Sequence, residues 1–203
     1  MSLNHAYCRV YHQLQVISPP KLPRTGPAII VCNHISGVDP LLIQSACPRL
    51  ITWMMASEYY DIKPLRWVFT TVGAIPVDRG GRDMAATRAA MRALDAGQVL
   101  GVFPEGRIEE SRELLPFQTG VAMLASHGEV PVYPAYLHGS NRGREMIEAF
   151  IRPCRAWLTF AQPVQFNRRS KRRQALDEAT GVLRERIEAL KRQTLINETT
   201  CPV

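Results

Sequence analysis

Short apolar segments alternate along this chain with segments that carry apolar residues at helical spacing, and this alternation leaves few fold classes open. The apolar segments are typical of buried strands and cover residues 28–33, 51–55, 73–77, 99–103, 130–137 and 156–160. The intervening segments predict helices at residues 39–46, 57–71 (two short helices), 83–96, 118–126 and 174–192. Strands and helices in this order predict a single α/β domain of three layers, with a central mostly parallel or mixed sheet flanked by helices.

The N-terminal segment carries apolar residues three or four positions apart, which predicts one amphipathic helix ended by Ser18-Pro19-Pro20. These residues are Leu3, Tyr7, Val10, Leu14 and Ile17. The chain is therefore expected to divide into an N-terminal helix over residues 1–20 and a main domain over residues 21–203. Two roles remain open for the helix, which either docks on a membrane or packs on the core.

The formal net charge of +7 indicates an anionic partner, such as nucleic acid, a phosphorylated substrate or an acidic membrane surface. Residues 168–192 alone hold nine Lys or Arg against four Asp or Glu, which fits either a solvated helix face or contact with lipid headgroups. Nucleic acid is disfavoured, because no helix-turn-helix, zinc finger or aromatic RNA-binding motif is present.

No apolar run approaches the roughly 20 residues of a membrane-crossing helix, and the N-terminus lacks the features of a signal peptide. The five cysteines are Cys8, Cys32, Cys47, Cys154 and Cys201, and their spacing matches no zinc or redox motif. We therefore expect reduced thiols in a cytosolic protein, and no metal site.

The segment Asn33–Pro40 holds the first candidate for chemistry. A strand delivers His34 to its end, and Asp39 follows five residues later, at the start of a helix. A tight turn between them can bring the carboxylate to one ring nitrogen and leave the other nitrogen free as a general base. The structural alternatives are a core histidine for His34 and a helix N-cap for Asp39.

Three further segments are weaker candidates when each is taken alone. Phe103-Pro104-Glu105-Gly106-Arg107 combines a glycine, which permits close backbone approach, with an arginine suited to phosphate; its alternative is a surface turn. The extended segment 73–82 presents Arg79, with Arg82 as a second candidate, either as an anion clamp or as solvated arginines. The two prolines of residues 130–135 favour an edge strand.

Taken together and in this order, the four segments resemble the glycerolipid acyltransferase family, whose familiar member is 1-acylglycerol-3-phosphate acyltransferase. The matching residues are Asn33, His34, Ser36 and Asp39, then Arg79, then Phe103, Pro104, Glu105 and Gly106, and finally Val130, Pro131 and Pro134. The resemblance extends over roughly residues 22–140, and its first and third segments are the specific ones.

The resemblance implies transfer of a fatty acyl group from a thioester of coenzyme A or acyl carrier protein to the hydroxyl of a lysophospholipid or glycerol-phosphate acceptor. It implies His34 as general base with Asp39 as its partner, an acceptor site of Arg79, Glu105, Gly106 and Arg107, and no bound cofactor. Backbone amides near Gly106 or in the Ser36-Gly37 turn are candidate oxyanion donors. Because the implied acceptor lies in a bilayer and the sequence predicts no membrane span, we also expect a cytoplasmic protein that docks peripherally on the cytosolic face of a membrane, through the N-terminal helix and the basic surface.

One departure from the family pattern bears on which acceptor lipid is used. Many family members place Thr or Ser after Gly106, whereas here Arg107 follows directly, and Glu109 and Glu110 come next. This variant looks like the branch that acylates lysophosphatidylethanolamine-type lipids. The two glutamates either disfavour an extra phosphate or are solvated.

Two other classes of function remain as alternatives. An acyl thioesterase would use the same pair of residues to activate water, and a non-catalytic module would bind anionic lipid without needing His34 and Asp39. For the acyl chain, the sequence predicts an apolar groove lined by Trp53, Met54, Met55, Leu65, Trp67, Val68 and Phe69.

Overall fold

The computed structural model describes residues 3–80, 83–111, 113–127, 129–166 and 173–200. The strands are β1 (Gln15–Ser18), β2 (Ala28–Cys32), β3 (Ile51–Ala56), β4 (Ile75–Val77), β5 (Val99–Val102), β6 (Val132–His138) and β7 (Trp157–Phe160). The helices are α1 (Leu3–Ala6) with a π-helical continuation (Tyr7–Tyr11), α2 (Asp39–Ala46), α3 (Ser57–Tyr60), α4 (Lys63–Thr71), α5 (Met84–Asp95), α6 (Gly120–His127), α7 (Met146–Ile151) and α8 (Arg173–Thr200).

The strands form one seven-stranded sheet in the order β1-β7-β6-β2-β5-β3-β4. Neighbouring strands are parallel except β6 and β7, which are antiparallel. Strands β2 to β6 therefore all point one way, and their carboxyl ends meet at one edge of the sheet. This arrangement confirms the prediction of an α/β domain with a mostly parallel, mixed sheet.

Two hydrophobic cores lie on opposite faces of the sheet, as three layers require. The buried strand β2 contributes to both, because successive side chains of a strand point to opposite faces. Ile30 joins the core beneath α2, while Ile29 and Val31 join the core beneath α5, α6 and α8. The prediction of three layers is confirmed.

The predicted N-terminal helix is wrong in its extent. The helical segment ends at Tyr11, the backbone reverses at Gln13 (φ 44°), and residues 15–18 form β1, paired with β7. Leu14 is 2% exposed in the core, whereas Val10 is 78% exposed, so the apolar residues do not share one helix face. Helical spacing over so few residues cannot reveal a change to β structure, which the hydrogen bonds to β7 decide.

The prediction of an edge strand at residues 130–135 is also wrong, because β6 lies inside the sheet, between β7 and β2. Pro131 precedes the strand, and its carbonyl accepts a hydrogen bond from the amide of Ile29 (3.0 Å). Pro134 lies opposite Val31, and its carbonyl accepts from the amide of Ala161 (2.8 Å). Because the carbonyl oxygens of both prolines still accept hydrogen bonds from neighbouring segments, β6 can lie in the interior of the sheet.

The other predicted elements lie within two residues of those observed, except that α8 continues to Thr200 and that β1 and α7 were missed. The four described cysteines are free thiols, and Cys201 lies outside the described residues. Arg82 and residues 167–172 also lie outside them. Within the described ranges, no helix is long and apolar enough to cross a membrane.

Candidate active site

Three loops meet at the carboxyl edge of strands β2, β5 and β6, which is hereafter called the site edge. They are residues 33–38, 103–111 and 139–145, with residue 112 outside the described chain. Backbone hydrogen bonds join them directly: the amide of Glu109 donates to the carbonyl of His34 (2.7 Å), that of Gly143 to Ile35 (2.9 Å) and that of Gly37 to Arg144 (2.9 Å). The first loop is thereby held from both sides, as expected of a site at strand ends in an α/β sheet.

His34 and Asp39 form the pair that their spacing predicted. The Nδ1 atom of His34 lies 3.0 Å from Oδ2 of Asp39. Asp39 is completely buried, whereas the His34 side chain keeps 14% of its surface exposed. Because a carboxylate only accepts, Nδ1 is the protonated nitrogen, and Nε2 has no partner among the described residues. The partly buried imidazole can therefore accept a proton at Nε2.

Asp39 also organises the turn that carries His34. It is the first residue of α2 rather than its N-cap. Its Oδ2 atom accepts from the backbone amides of Ile35 (2.7 Å) and Ser36 (2.8 Å), and its Oδ1 atom accepts from the hydroxyl of Ser140 (2.7 Å). The carboxylate thus folds the turn back on itself and orients the imidazole at the same time.

Gly37 allows the turn to lie against the start of α7. A Cβ atom at Gly37 would lie 2.5 Å from the backbone nitrogen of Met146. Gly106 in the second loop has a φ of +71°, which favours glycine, and a Cβ atom there would lie 2.5 Å from the side-chain amide nitrogen of Gln118. Gly37 therefore permits a close approach of two backbone segments, whereas the backbone conformation is what favours glycine at position 106.

Glu105 lies buried beside the His34–Asp39 pair, with 5% of its surface exposed. Neither of its carboxylate oxygens has a hydrogen-bond partner within the described chain. Burial raises the pKa of Glu105 to about 7, and the nearby carboxylates of Glu109 and Asp39 add to this, while the backbone amides of His34 and Leu115 offset part of it. At neutral pH its carboxyl group is partly protonated and can then donate a hydrogen bond.

Glu109 is buried and paired with Arg142 of the third loop. The alternative that both glutamates are solvated is therefore wrong for Glu109, whereas Glu110 is exposed. Sequence reasoning missed both this ion pair and Ser140. The signal that could have found them is the polar segment Gly139–Gly143 directly after a predicted strand, since parallel strand ends share an edge.

The arginines predicted to bind the acceptor are both exposed. Arg79 lies near Tyr59: burial raises the pKa of the Tyr59 phenol, the carboxylate of Glu145 raises it further, and Arg79 opposes this. Glu145 directly precedes Met146, which packs against Gly37, so Arg79 lies on the side of the site edge where α7 begins. Arg107 stands on the second loop without an ion-pair partner among the described residues.

Three of the candidate oxyanion donors already make hydrogen bonds within the protein. The amide of Ser36 donates to Asp39, that of Gly37 to Arg144 and that of Gly106 to the carbonyl of Phe103 (3.1 Å). These three amides are therefore not free to bind an oxyanion in this arrangement of the loops.

Residues of the predicted acyl groove do not share one environment. Trp53 is buried in the core, where it stacks on Phe103, while Trp67 is 70% exposed on α4. A cavity of about 410 Å³ lies at the opposite edge of the sheet, beside Thr52, Gly73 and Gly97. It is separate from His34.

Several known proteins are similar to this chain in sequence or in fold. A model of the family described as "Acyltransferase" matches residues 13–138. A 1-acyl-sn-glycerol-3-phosphate acyltransferase of Bacillus subtilis is 26% identical over 136 residues, which cover 66% of this chain and 67% of that protein. One of Helicobacter pylori is 29% identical over 119 residues, covering 57% and 50%.

The chain matches about half the length of several of these curated relatives. Among solved structures, the crystal structure of the 1-acyl-sn-glycerophosphate acyltransferase PlsC of Thermotoga maritima superposes with a TM-score of 0.69. It is 24% identical, and the superposition covers 88% of this chain and 72% of that one. This likeness shows a shared fold.

Proposed function

This chain belongs to the acyltransferase family, and on that premise we propose that it transfers a fatty acyl group from a thioester to the free hydroxyl of a lysophospholipid. The observation that carries the proposal is the His34–Asp39 pair, 3.0 Å apart, with Nε2 of a partly buried imidazole left without a partner in the described chain. The donor is the thioester of coenzyme A or of acyl carrier protein.

The chemistry needs one base and forms no covalent enzyme intermediate. Nε2 of His34 takes the proton of the acceptor hydroxyl while the oxygen attacks the thioester carbonyl. The tetrahedral intermediate expels the thiolate, the new ester forms, and the imidazolium returns its proton to the sulfur. Asp39 fixes the tautomer of the ring and stabilises its charged form. Proton transfer by a positioned general base contributes about 10²–10⁴-fold.

The acceptor site in this proposal comprises Arg79, Glu105, Gly106 and Arg107. The two exposed guanidinium groups suit an acceptor phosphate. Glu105, with both oxygens free of partners in the described chain, suits a glycerol hydroxyl, because its carboxyl group can either donate or accept near neutral pH. Glu109 is already neutralised by Arg142 and does not repel a phosphate, which favours 1-acylglycerol-3-phosphate over a lysophosphatidylethanolamine-type acceptor.

A membrane-docking ridge at the site edge accompanies this activity in our proposal. The ridge consists of exposed apolar residues on the N-terminal helical segment and α7, namely Leu3, Val10, Tyr11, Ile147, Phe150 and Ile151. Strand β1 runs antiparallel to β2 by way of β7 and β6, so the segment preceding β1 lies at the site edge. The helix α7 begins where Met146 meets Gly37, next to His34.

Contacts between the two helical segments hold the ridge together. Tyr7 stacks on Phe150 with ring centroids 4.8 Å apart, and the hydroxyl of Tyr11 donates to the carbonyl of Ile151 (2.6 Å). No acidic residue precedes Asp39 in the sequence, so the N-terminal part of the ridge carries only positive charge, including Arg9. Such a surface suits an anionic bilayer, and the free thiols suit its cytosolic face.

Thiol release from a long-chain acyl-coenzyme A, measured with and without lysophospholipids, tests the proposed activity. We expect release that depends on the acceptor in the native protein and falls by about 10²–10⁴-fold in His34→Gln, which keeps much of the side-chain volume. Far-ultraviolet circular dichroism and thermal melting check that the variant is folded. Acyl carrier protein replaces coenzyme A in a parallel series.

The same measurements separate the alternatives. Release that needs His34 but no acceptor would indicate a thioesterase. Absence of release from either donor, with retained binding to anionic vesicles, would indicate a lipid-binding module. Lysophosphatidate and lysophosphatidylethanolamine, compared side by side as acceptors, decide the headgroup.

A further inference from the structure

We propose that Ser140 is a positioning residue for the reaction, because its hydroxyl fixes Asp39, which in turn fixes the imidazole of His34. The inference rests on the proposed acyl transfer and adds a third side chain to the two that the sequence indicates. Ser140 lies 101 positions from Asp39 in the sequence and reaches it from a different strand end.

The hydrogen bonds of Asp39 show what Ser140 contributes. Oδ2 receives three donors, from Nδ1 of His34 and the amides of Ile35 and Ser36. Oδ1 receives the hydroxyl of Ser140 at 2.7 Å, and no other partner of Oδ1 occurs among the described residues. Ser140 therefore anchors the second oxygen, so that the carboxylate cannot rotate about its bond to Cβ without losing a buried hydrogen bond.

The loop that carries Ser140 is held on both sides of the residue. Gly139 has a φ of +81°, and a Cβ atom there would collide with the carbonyl oxygen of Arg155. The side-chain amide of Asn141 donates to the carbonyl of Arg152 (2.6 Å), and Arg142 pairs with buried Glu109. These contacts fix the position of the Ser140 hydroxyl before any substrate binds.

A comparison with Ser36 shows that proximity alone does not explain this contact. Ser36 lies in the turn itself, yet its hydroxyl has no hydrogen-bond partner in the described chain, and only its amide reaches Asp39. The distant serine, rather than the adjacent one, supplies the hydroxyl. Deleting the Ser140 hydroxyl therefore leaves a buried acceptor unsatisfied at the pair that does the chemistry.

Ser140→Ala is the variant that tests the proposal, with Ser126→Ala as the matched control. Ser126 is equally buried, and its hydroxyl donates to the carbonyl of Ala122 (2.8 Å) within α6. We expect kcat to fall about tenfold in Ser140→Ala, with KM for donor and acceptor changed less than about twofold, and no such loss in the control.

The pH profile distinguishes positioning from a merely structural role. Without the Ser140 donor, the negative charge of Asp39 acts more strongly on the imidazolium, so the ascending limb of the kcat/KM profile moves to higher pH. In an Asp39→Asn background, Ser140→Ala should cost almost nothing further, because both changes act through the same carboxylate. An unmoved limb, or an equal loss in the Asp39→Asn background, would overturn the proposal.

A spectroscopic readout keeps this test independent of the assay. The Nδ1 proton of His34, identified by its loss in His34→Gln, should exchange with water about tenfold faster in Ser140→Ala than in the native protein. Ser140→Cys keeps the volume but donates weakly, and it should fall between the two. If the native protein transfers no acyl group, the activity proposal fails, whereas unchanged exchange in both variants refutes the role of Ser140.

Discussion

The imidazole of His34 lies flat on the ring of Phe103, with the ring centroids 3.9 Å apart and the planes 11° apart. Phe103 in turn stacks on the buried indole of Trp53, with centroids 4.9 Å apart. One face of the imidazole is therefore covered by a stacked aromatic column, Phe103 on Trp53, that extends into the core. Asp39 fixes which nitrogen carries the proton, and this column fixes the plane of the ring.

Replacing Phe103 with Leu should weaken catalysis without unfolding the protein. The apolar volume largely remains, but the flat support of the ring is lost, and aromatic pairs of this kind are worth about 1 kcal/mol beyond their buried area. We expect kcat to fall about fivefold. Steady-state kinetics measure this change. Phe166→Leu, at a half-buried phenylalanine packed on the other core, is the control and should leave kcat unchanged.

The stability of the protein should fall as the pH rises through the range in which Glu105 ionises. Burial raises the pKa of Glu105 from 4.5 to about 7, so within this interval the folded chain holds a proton that the unfolded chain releases. The free energy of unfolding therefore decreases with rising pH, by up to about 3 kcal/mol in total.

Glu105→Gln removes this contribution to the pH dependence. Its free energy of unfolding, measured in urea, should gain about 2 kcal/mol relative to the native protein between about pH 5 and pH 8. Glu110→Gln, at an exposed carboxylate on the same loop, should show no comparable gain. Parallel pH dependence of Glu105→Gln and the native protein would contradict this account.

Replacing one partner of the Glu109–Arg142 ion pair should destabilise the protein more than replacing both partners. Arg142→Met leaves the buried carboxylate of Glu109 unpaired, which we expect to cost about 3 kcal/mol of unfolding free energy. The double variant Glu109→Gln/Arg142→Met should recover part of this loss. Urea unfolding measures both values.

A matched exposed pair serves as the reference. Arg144 and Glu148 lie 2.9 Å apart, with roughly half and a third of their side chains exposed. Arg144→Met should cost less than about 1 kcal/mol. A loss in Arg142→Met no larger than that in Arg144→Met would show that the buried pair does not hold the loops together.

Charges placed on the docking ridge should weaken membrane binding. Val10→Asp and Ile147→Asp change exposed residues of the two helical segments, so the fold should remain intact. Each should reduce binding to vesicles that contain phosphatidylglycerol by about tenfold, as the loss of one buried aliphatic side chain implies. Co-sedimentation measures this binding.

Leu50→Asp is the control for the ridge, because Leu50 is similarly exposed but precedes β3 at the opposite edge of the sheet. Equal binding by all four proteins would refute docking through this surface. Leu14, which its helical spacing placed on the same face, is unsuitable for such a test, since it belongs to the core.

Local spacing was enough to predict much of the fold. Five apolar residues in a row at Ala28–Cys32 are typical of a strand covered on both faces, and Asp83 and Gly97 marked the two ends of α5. The pairing of His34 with Asp39 could be predicted for the same reason. Five residues of separation and one tight turn leave the two side chains few other arrangements.

The predictions that failed were those in which a distant strand decides the outcome. Residues 15–18 have the spacing of a helix, yet they pair with Trp157 and its neighbours. Pro131 before β6 and Pro134 within it are typical of an edge, but the strand lies between two others, and both proline carbonyls accept hydrogen bonds from neighbouring segments. Sequence periodicity predicts which residues are buried, but it does not predict which strands are neighbours in the sheet.

The α/β class and the pairing of His34 with Asp39 could be read from residues that are close together along the chain. Three other contacts depend on the tertiary structure: Ser140 anchors Asp39, Arg142 neutralises Glu109 and Phe103 supports His34. These contacts join the ends of three different strands. Which residues meet in these contacts depends on the order of strands in the sheet, and the packing of the whole domain fixes that order.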